Sequence, residues 1–383
     1  MFRVNPQRTG FYNTDGVHQG GKLKWKLQLT IPYLAPDACP VIADGLICIG
    51  SSQGPLYSVD AQTGQQKWTF NAGCRAIGSP SIADGVVYVG TSDGTFYAIV
   101  LQTGQQKWKF KIAEKLAGGE YYSPIVANGV IYVSSPDGRL YALATQTGQQ
   151  IWSFSNKGNQ LTSPPTIADG ILYFGSHDGC LVSVDLETRK QRWIFQSTFH
   201  LGPFQSAIAD GIAYCGSRGP TLVALDIQTG EPIWVFEPDN NTLLPFVLLT
   251  YPAVADGIIC VGGSNSVIYA LDGSTGQQIW AFRTESELLP SCPVIADGIV
   301  YVGTCGSLWA IELQTGQPLW KFDSPEPELR LKEPRGWLPQ VGKWAAAMGW
   351  ASYSSKVCSP SVADGVVYIE VCHDFYAVLC ALH

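Results

Sequence analysis

The chain has 383 residues, 46% of them hydrophobic and 14% charged, with 41 Gly and 24 Pro and a mean hydropathy of +0.07. That composition excludes disorder and collagen-like structure. Lysine plus arginine is 24 against 31 for aspartate plus glutamate, a net charge of −7, and no basic run exists to neutralise a row of phosphates, so no nucleic-acid partner is expected.

The first twenty residues, MFRVNPQRTGFYNTDGVHQG, lack the apolar core of a secretory signal. The longest apolar stretch, Leu243 to Ala255, is broken by Pro245 and Pro252 and is too short to span a bilayer. Eleven cysteines include no CxxC and no adjacent pair, which fits a mostly reduced protein. A cytoplasmic protein without membrane insertion is expected, unless Met1 replaces a removed signal peptide.

From Lys22 to Leu29 runs one β-prone segment around Trp25, and from there the chain repeats. Trp25, Trp68, Trp108, Trp152, Trp193, Trp234, Trp280 and Trp320 recur at intervals of 40 to 46 residues. An Ala-Asp-Gly or Ala-Asn-Gly turn recurs in step, centred on Asp44, Asp84, Asn128, Asp169, Asp210, Asp256, Asp297 and Asp364. One unit, SPSIADGVVYVGTSDGTFYAIVLQTGQQKWKF from Ser79 to Phe110, holds four short β-prone runs, strands A to D, separated by three Gly- or Asx-bearing turns. No segment carries a sustained 3.6-residue apolar period, so almost no helix is expected. A four-stranded meander of about 40 residues cannot cover both its faces alone, whereas stacking meanders around an axis does. The expected fold is all-β: a single propeller domain of eight blades over residues 1–383. Blade eight, Val357 to Leu382, stops before its Trp-bearing strand, and the unpartnered N-terminal strand is expected to supply it and close the ring.

The phrase ADGVVYVGTSDGTFYAIVLQTGQQKWKF, repeated along the chain, resembles the tryptophan-docking repeat of the pyrroloquinoline quinone (PQQ)-like eight-bladed propellers, and NPQRTGFYN resembles that family's lead-in. The resemblance implies the fold, and tryptophans that each pack on their own blade and the next. Its members include quinoprotein alcohol dehydrogenases and an outer-membrane assembly scaffold. The dehydrogenases carry an adjacent Cys-Cys pair over the quinone and a calcium held by acidic and amide side chains. Neither feature can be placed in this sequence, so no cofactor and no PQQ dehydrogenase activity are expected.

In a repeat, singular residues are where function hides. Between strand D of blade seven and blade eight lies an insertion, residues 323–357, on the face that carries the D-to-A and B-to-C loops. It contains Trp337, Trp344, Trp350, Tyr353, Arg330 and Arg335. Aromatics alternating with cations suit a lid that stacks on a planar or anionic ligand, with Tyr122 on a neighbouring loop, and equally suit a plug or a protein-binding patch. Blade eight has Glu370 where other blades have Gly50, Gly90, Gly175, Gly216, Gly262 or Gly303, followed by Cys372, His373 and Asp374 in place of a Ser-Asp-Gly turn. A carboxylate and an imidazole in one hairpin suit acid–base chemistry, against ordinary drift in a closing blade. Cys39, Cys292 and Cys358 approach the axis on blades one, seven and eight, as nucleophiles, soft-metal ligands or simple packing.

The reading drawn from these residues is a small-molecule site on the top face, used by a cofactor-independent acid–base enzyme of lyase, isomerase or cyclase type. Its catalytic residues would be Glu370, His373 and Asp374. The alternative is a non-catalytic scaffold for a cytosolic protein.

Overall fold

The computed structural model describes residues 11–29, 39–50, 55–73, 79–91, 93–112, 123–135, 137–156, 160–161, 163–197, 205–216, 221–238, 249–285, 290–304, 306–323, 356–357, 359–372 and 377–383. These form eight sheets, antiparallel apart from one short parallel pair, and, among the described residues, no helix. Among the described residues no helix is therefore long and apolar enough to cross a membrane. Blades one to seven run A-B-C-D in chain order over 41–70, 81–111, 125–155, 166–196, 205–236, 253–283 and 294–323.

Each blade begins with a two-residue hairpin. Its Asp or Asn sits at φ of 48–51° and the following Gly at 67–75°. Both central residues are left-handed, which matches the twist of the flanking strands and is tolerated by Asx and Gly alone at low cost. The C-to-D turns are tied by a carboxylate. Asp60 accepts from the backbone N–H of Gln62 and Thr63 and from the Thr63 hydroxyl, at 2.9–3.1 Å. The Thr63 N–H, then Lys67 and the Thr63 hydroxyl, hold the Asp60 carboxyl down at about 2. Backbone N–H groups and hydroxyls likewise lower Asp185, Asp226 and Asp272.

The core lies between blades. Strand B of every blade is almost wholly buried, as in Val86–Gly90 and Ile299–Gly303, and each apolar cluster joins the facing sides of two neighbours. Seven of the eight periodic tryptophans donate their indole N–H across such a seam: Trp25 to Ala61, Trp68 to Leu101, Trp108 to Thr145, Trp193 to Ile227, Trp234 to Gly273, Trp280 to Leu313 and Trp320 to Val17, at 2.6–3.1 Å. Under most of these rings lies a glycine of the next blade's C-to-D turn. A Cβ on Gly64 would stand 2.6 Å from the Trp25 ring. Blade four has Arg189 in that slot, at φ 58°, with its guanidinium 6.0 Å over Trp152.

Ring closure is as expected. Leu23–Leu29 pairs antiparallel with Ala377–Leu382 as the outer strand of blade eight, Lys26 opposite Cys380. The same segment does two further things. Val17 and Gly21 stand in for the C-to-D turn that blade eight lacks, receiving the Trp320 N–H and lying against the Trp320 ring. Upstream, Phe11–Tyr12 pairs in parallel with Val294–Ala296, the innermost strand of blade seven, so the chain enters along the channel wall.

Candidate functional site

The axis is built from the A strands and the residue pairs that lead into them. Hydroxyls link these leads blade to blade: Ser81 Oγ to Pro124 O at 2.6 Å, Thr166 Oγ1 to Ser206 O at 3.1 Å, Ser361 Oγ to Pro40 O at 2.5 Å, and the Cys39 N–H to Ser79 Oγ at 3.1 Å. Tyr12, brought in by the parallel strand, donates to Ser361 Oγ at 3.2 Å. Beside it is a cavity of about 10 Å³, lined by Tyr12, Cys39, Cys292 and Ser359, which is room for one water and no more. No repeat position placed Tyr12 here; its only signal in the sequence is a two-residue aromatic run inside the lead-in.

Cys39 and Cys292 thus share one cavity wall, as their positions on blades one and seven predicted, while Cys358 lies outside the described residues. Cys48, Cys215 and Cys260 are fully buried in B strands. Burial pushes the Cys48 thiol up to about 12 and those of Cys215 and Cys260 upward as well. Neutral, enclosed thiols are core rather than nucleophiles.

Glu370 is not in a turn. Strand B of blade eight runs Val366–Cys372, two residues longer than the B strands of most blades, and Glu370 pairs with Leu379 inside the ladder. The strand continues because Val371 and Cys372 pair on one side with Val378 and Ala377 and on the other with Val357 and Lys356. The Glu370 side chain is wholly buried. Along the strand it shares a face with Val366 and Tyr368, which pack against Ile47, Ile49 and Val59 of blade one. A fully buried carboxylate is reached by a substrate only if the packing around it opens. His373, Asp374, Tyr122, Arg330, Arg335, Trp337, Trp344, Trp350 and Tyr353 lie outside the described residues.

The outer rim is the larger surface. Every D strand is the free edge of its sheet, and the residue before its tryptophan is exposed in all eight. On blades eight, one and two that residue is Lys24, Lys67 and Lys107, on blade four it is Arg192, and on blades three, five, six and seven it is Ile151, Ile233, Ile279 and Leu319. Ile194 and Val235 extend the apolar set, and these six side chains are 40–56% exposed. The edges of blades three to seven are therefore mainly apolar, with Arg192, Arg283 and Lys321 among them, and those of blades eight, one and two are mainly basic. Between blades five and six lies an open cleft where Arg283 donates to the Asn265 carbonyl at 3.2 Å and Asn265 Nδ2 donates to the Tyr269 hydroxyl at 2.5 Å.

The described residues at the axis do not suit a quinone–calcium group. Among the described residues no three His, Cys, Asp or Glu side chains are placed to hold a metal ion. The leads at the axis offer thiols, hydroxyls and prolines, and the sequence has no adjacent Cys pair.

Several solved structures share the architecture. BamB from Moraxella catarrhalis superposes with a TM-score of 0.66 at 16% identity, over 95% of this chain and 98% of that one. Quinohemoprotein alcohol dehydrogenase ADHIIG from Pseudomonas putida HK5 gives 0.74 at 14% identity, over 98% of this chain and 78% of that one. The computationally designed Ika8 protein gives 0.70 at 16%, over 92% and 99%. An assembly factor, an oxidoreductase and a designed chain on one architecture show that the likeness carries fold and not activity. No curated protein matches the sequence. A family profile does, over residues 16–203, 101–242, 193–333 and 246–370. By that near-complete coverage the chain belongs to the family described as outer membrane protein assembly factor BamB.

Proposed function

We propose that the protein is a non-catalytic scaffold that holds another protein against the rim of blades three to seven. The observation that carries this reading is the row of Ile151, Ile194, Ile233, Val235, Ile279 and Leu319, exposed on five consecutive outer strands. A single exposed apolar residue means little, but one or two on each of five consecutive outer strands, with polar groups such as Glu237, Gln278 and Arg283 beside them, is a pattern that interfaces use. Membership in a family described by an assembly role supports the same reading. The small-molecule reading draws less from the described part of the axis, where the cavity by Tyr12 holds about 10 Å³ and Glu370 is fully buried within its strand.

The test is site-specific photo-crosslinking in the native cell. A benzophenone side chain at Ile233 or Ile279 should yield one discrete protein adduct, and the same group at Lys67 should not. Adding Val235→Lys should abolish the adduct while the purified variant melts like the parent. Absence of any adduct from the apolar strands would overturn the scaffold reading.

A further inference from the structure

The lysines of this acidic chain are not spread evenly. On three consecutive outer strands, Leu23–Leu29, Gln66–Phe70 and Gln106–Lys111, stand Lys24, Lys26, Lys67, Lys107, Lys109 and Lys111, with no acidic residue among them. All six are exposed, as is Lys22 beside them. The five other outer strands together carry three cations, Arg192, Arg283 and Lys321, and Lys321 is already bound to Glu285 at 2.7 Å and Asp323 at 3.2 Å. Within the basic arc, Lys67 pairs with Asp60 and Lys111 lies near Asp93. Lys24, Lys26 and Lys109 make no ion pair among the described residues.

Lysine on a sheet edge ordinarily blunts that edge against other strands. That role alone would place lysines on every blade, and the free edges of blades three, five and six have none. We propose that the rim of blades eight, one and two is a second docking surface whose occupant is an acidic polypeptide segment, bound in extended form. This goes beyond the scaffold reading, which concerns the opposite arc.

Charge complementarity sets the sign of the partner, and the geometry sets its class. Each outer strand has a bulge just before its tryptophan, and past it runs regularly, through Trp25–Leu29 and Trp108–Lys111. The unpaired backbone groups there accept an added strand, and alternate lysines then face carboxylates across the new ladder. A lipid surface uses no backbone hydrogen bonds, whereas each of these three sheet edges can take one extended acidic segment.

The probe is a fluorescent ten-residue peptide of alternating Glu and Thr, read by anisotropy against the full-length protein. Saturable binding is expected, weakened about tenfold by Lys26→Glu with Lys109→Glu and also by raising the salt from about 0.05 to about 0.5 M, as exposed charge pairs require. Lys190→Glu on a blade-four turn is the control and should bind as the parent does. Melting curves establish that both variants fold. No binding, or binding indifferent to the double substitution, overturns the proposal. So does lysine-dependent binding to phosphatidylserine vesicles without binding to the peptide. If Lys24, Lys26 and Lys109 changed to Ser make the protein self-associate and the parent ignores the peptide, edge protection is their whole role. Failure of the Ile233 and Ile279 crosslinks leaves this measurement untouched, so the two readings fall separately.

Discussion

Replacing Gly64 by Ala measures how much one blade seam holds. Gly64 sits at φ 72°, and an added Cβ would lie 2.6 Å from two Trp25 ring carbons. The left-handed backbone alone costs an Ala about 1 kcal/mol. The indole must also move, giving up its 3.1 Å bond to Ala61 O, worth about 1 kcal/mol, and part of its packing on Tyr368 and blade one, worth about 1–2 kcal/mol more. The sum is a loss of about 3–4 kcal/mol. Gly85 is the internal control, because its φ is 69° and nothing lies within 4 Å of an added methyl, so Gly85→Ala should cost only about 1 kcal/mol of backbone strain. Urea unfolding of both variants gives the difference directly. If the two lose equal stability, tryptophan seating contributes nothing measurable and the account of the seams is wrong. Blade four shows how a side chain is housed in that slot: Trp152, beneath Arg189, is the one periodic tryptophan without an indole bond to the next turn among the bonds described.

Deleting residues 1–29 should uncover the Ala377–Leu382 edge and leave Trp320 without its Val17 acceptor; light scattering and the loss of a cooperative melt are the expected readouts, and a truncated protein that melts like its parent would refute the closure. Stability should also fall at both ends of the pH scale. Asp60, Asp185, Asp226, Asp272 and Asp297 have lowered folded values, so their contribution is complete above the ordinary carboxylate range and drains away as pH drops from about 4 towards 2. Tyr88, Tyr141, Tyr214, Tyr301 and Tyr368 are raised by burial to about 12, so the folded state favours neutral phenols; that contribution is complete below about pH 10 and lost as pH rises through about 12. Melting temperatures from about pH 2 to about pH 12 test both limbs, and a flat alkaline limb would contradict the enclosed phenols.

The blades were legible because each one repeats the same turn chemistry: Asp84-Gly85 and Thr103-Gly104 specify hairpins without reference to anything distant. Glu370 was misplaced for the converse reason. With no Ser-Asp-Gly after it, the local signal for a turn vanished, and the strand runs on through pairing with Lys356–Val357, a contact no local pattern encodes. Tyr12 was illegible because two residues in parallel with an inner strand some 280 positions away carry no periodicity. The split of the rim is written in the residue before most of the tryptophans, from Lys24 to Leu319, with Arg192 on blade four the exception. It hides within the repeat, since an exposed lysine and an exposed isoleucine both satisfy the alternation of an edge strand.

The joining of Leu23–Leu29 to Ala377–Leu382 also fixes an order of events during synthesis. At about 5–20 residues per second, the N-terminal strand waits roughly 20–70 s, while some 350 residues follow it, before its partner exists. For that interval LKWKLQL is a bare strand with Leu23, Trp25, Leu27 and Leu29 available to any passing edge. Lys24 and Lys26, set between those apolar residues, are the only charges on that strand to oppose such pairing until the last blade emerges. Blades one to seven each complete their own four-stranded meander as they appear, so the ring accumulates blade by blade and locks only when Ala377–Leu382 emerges.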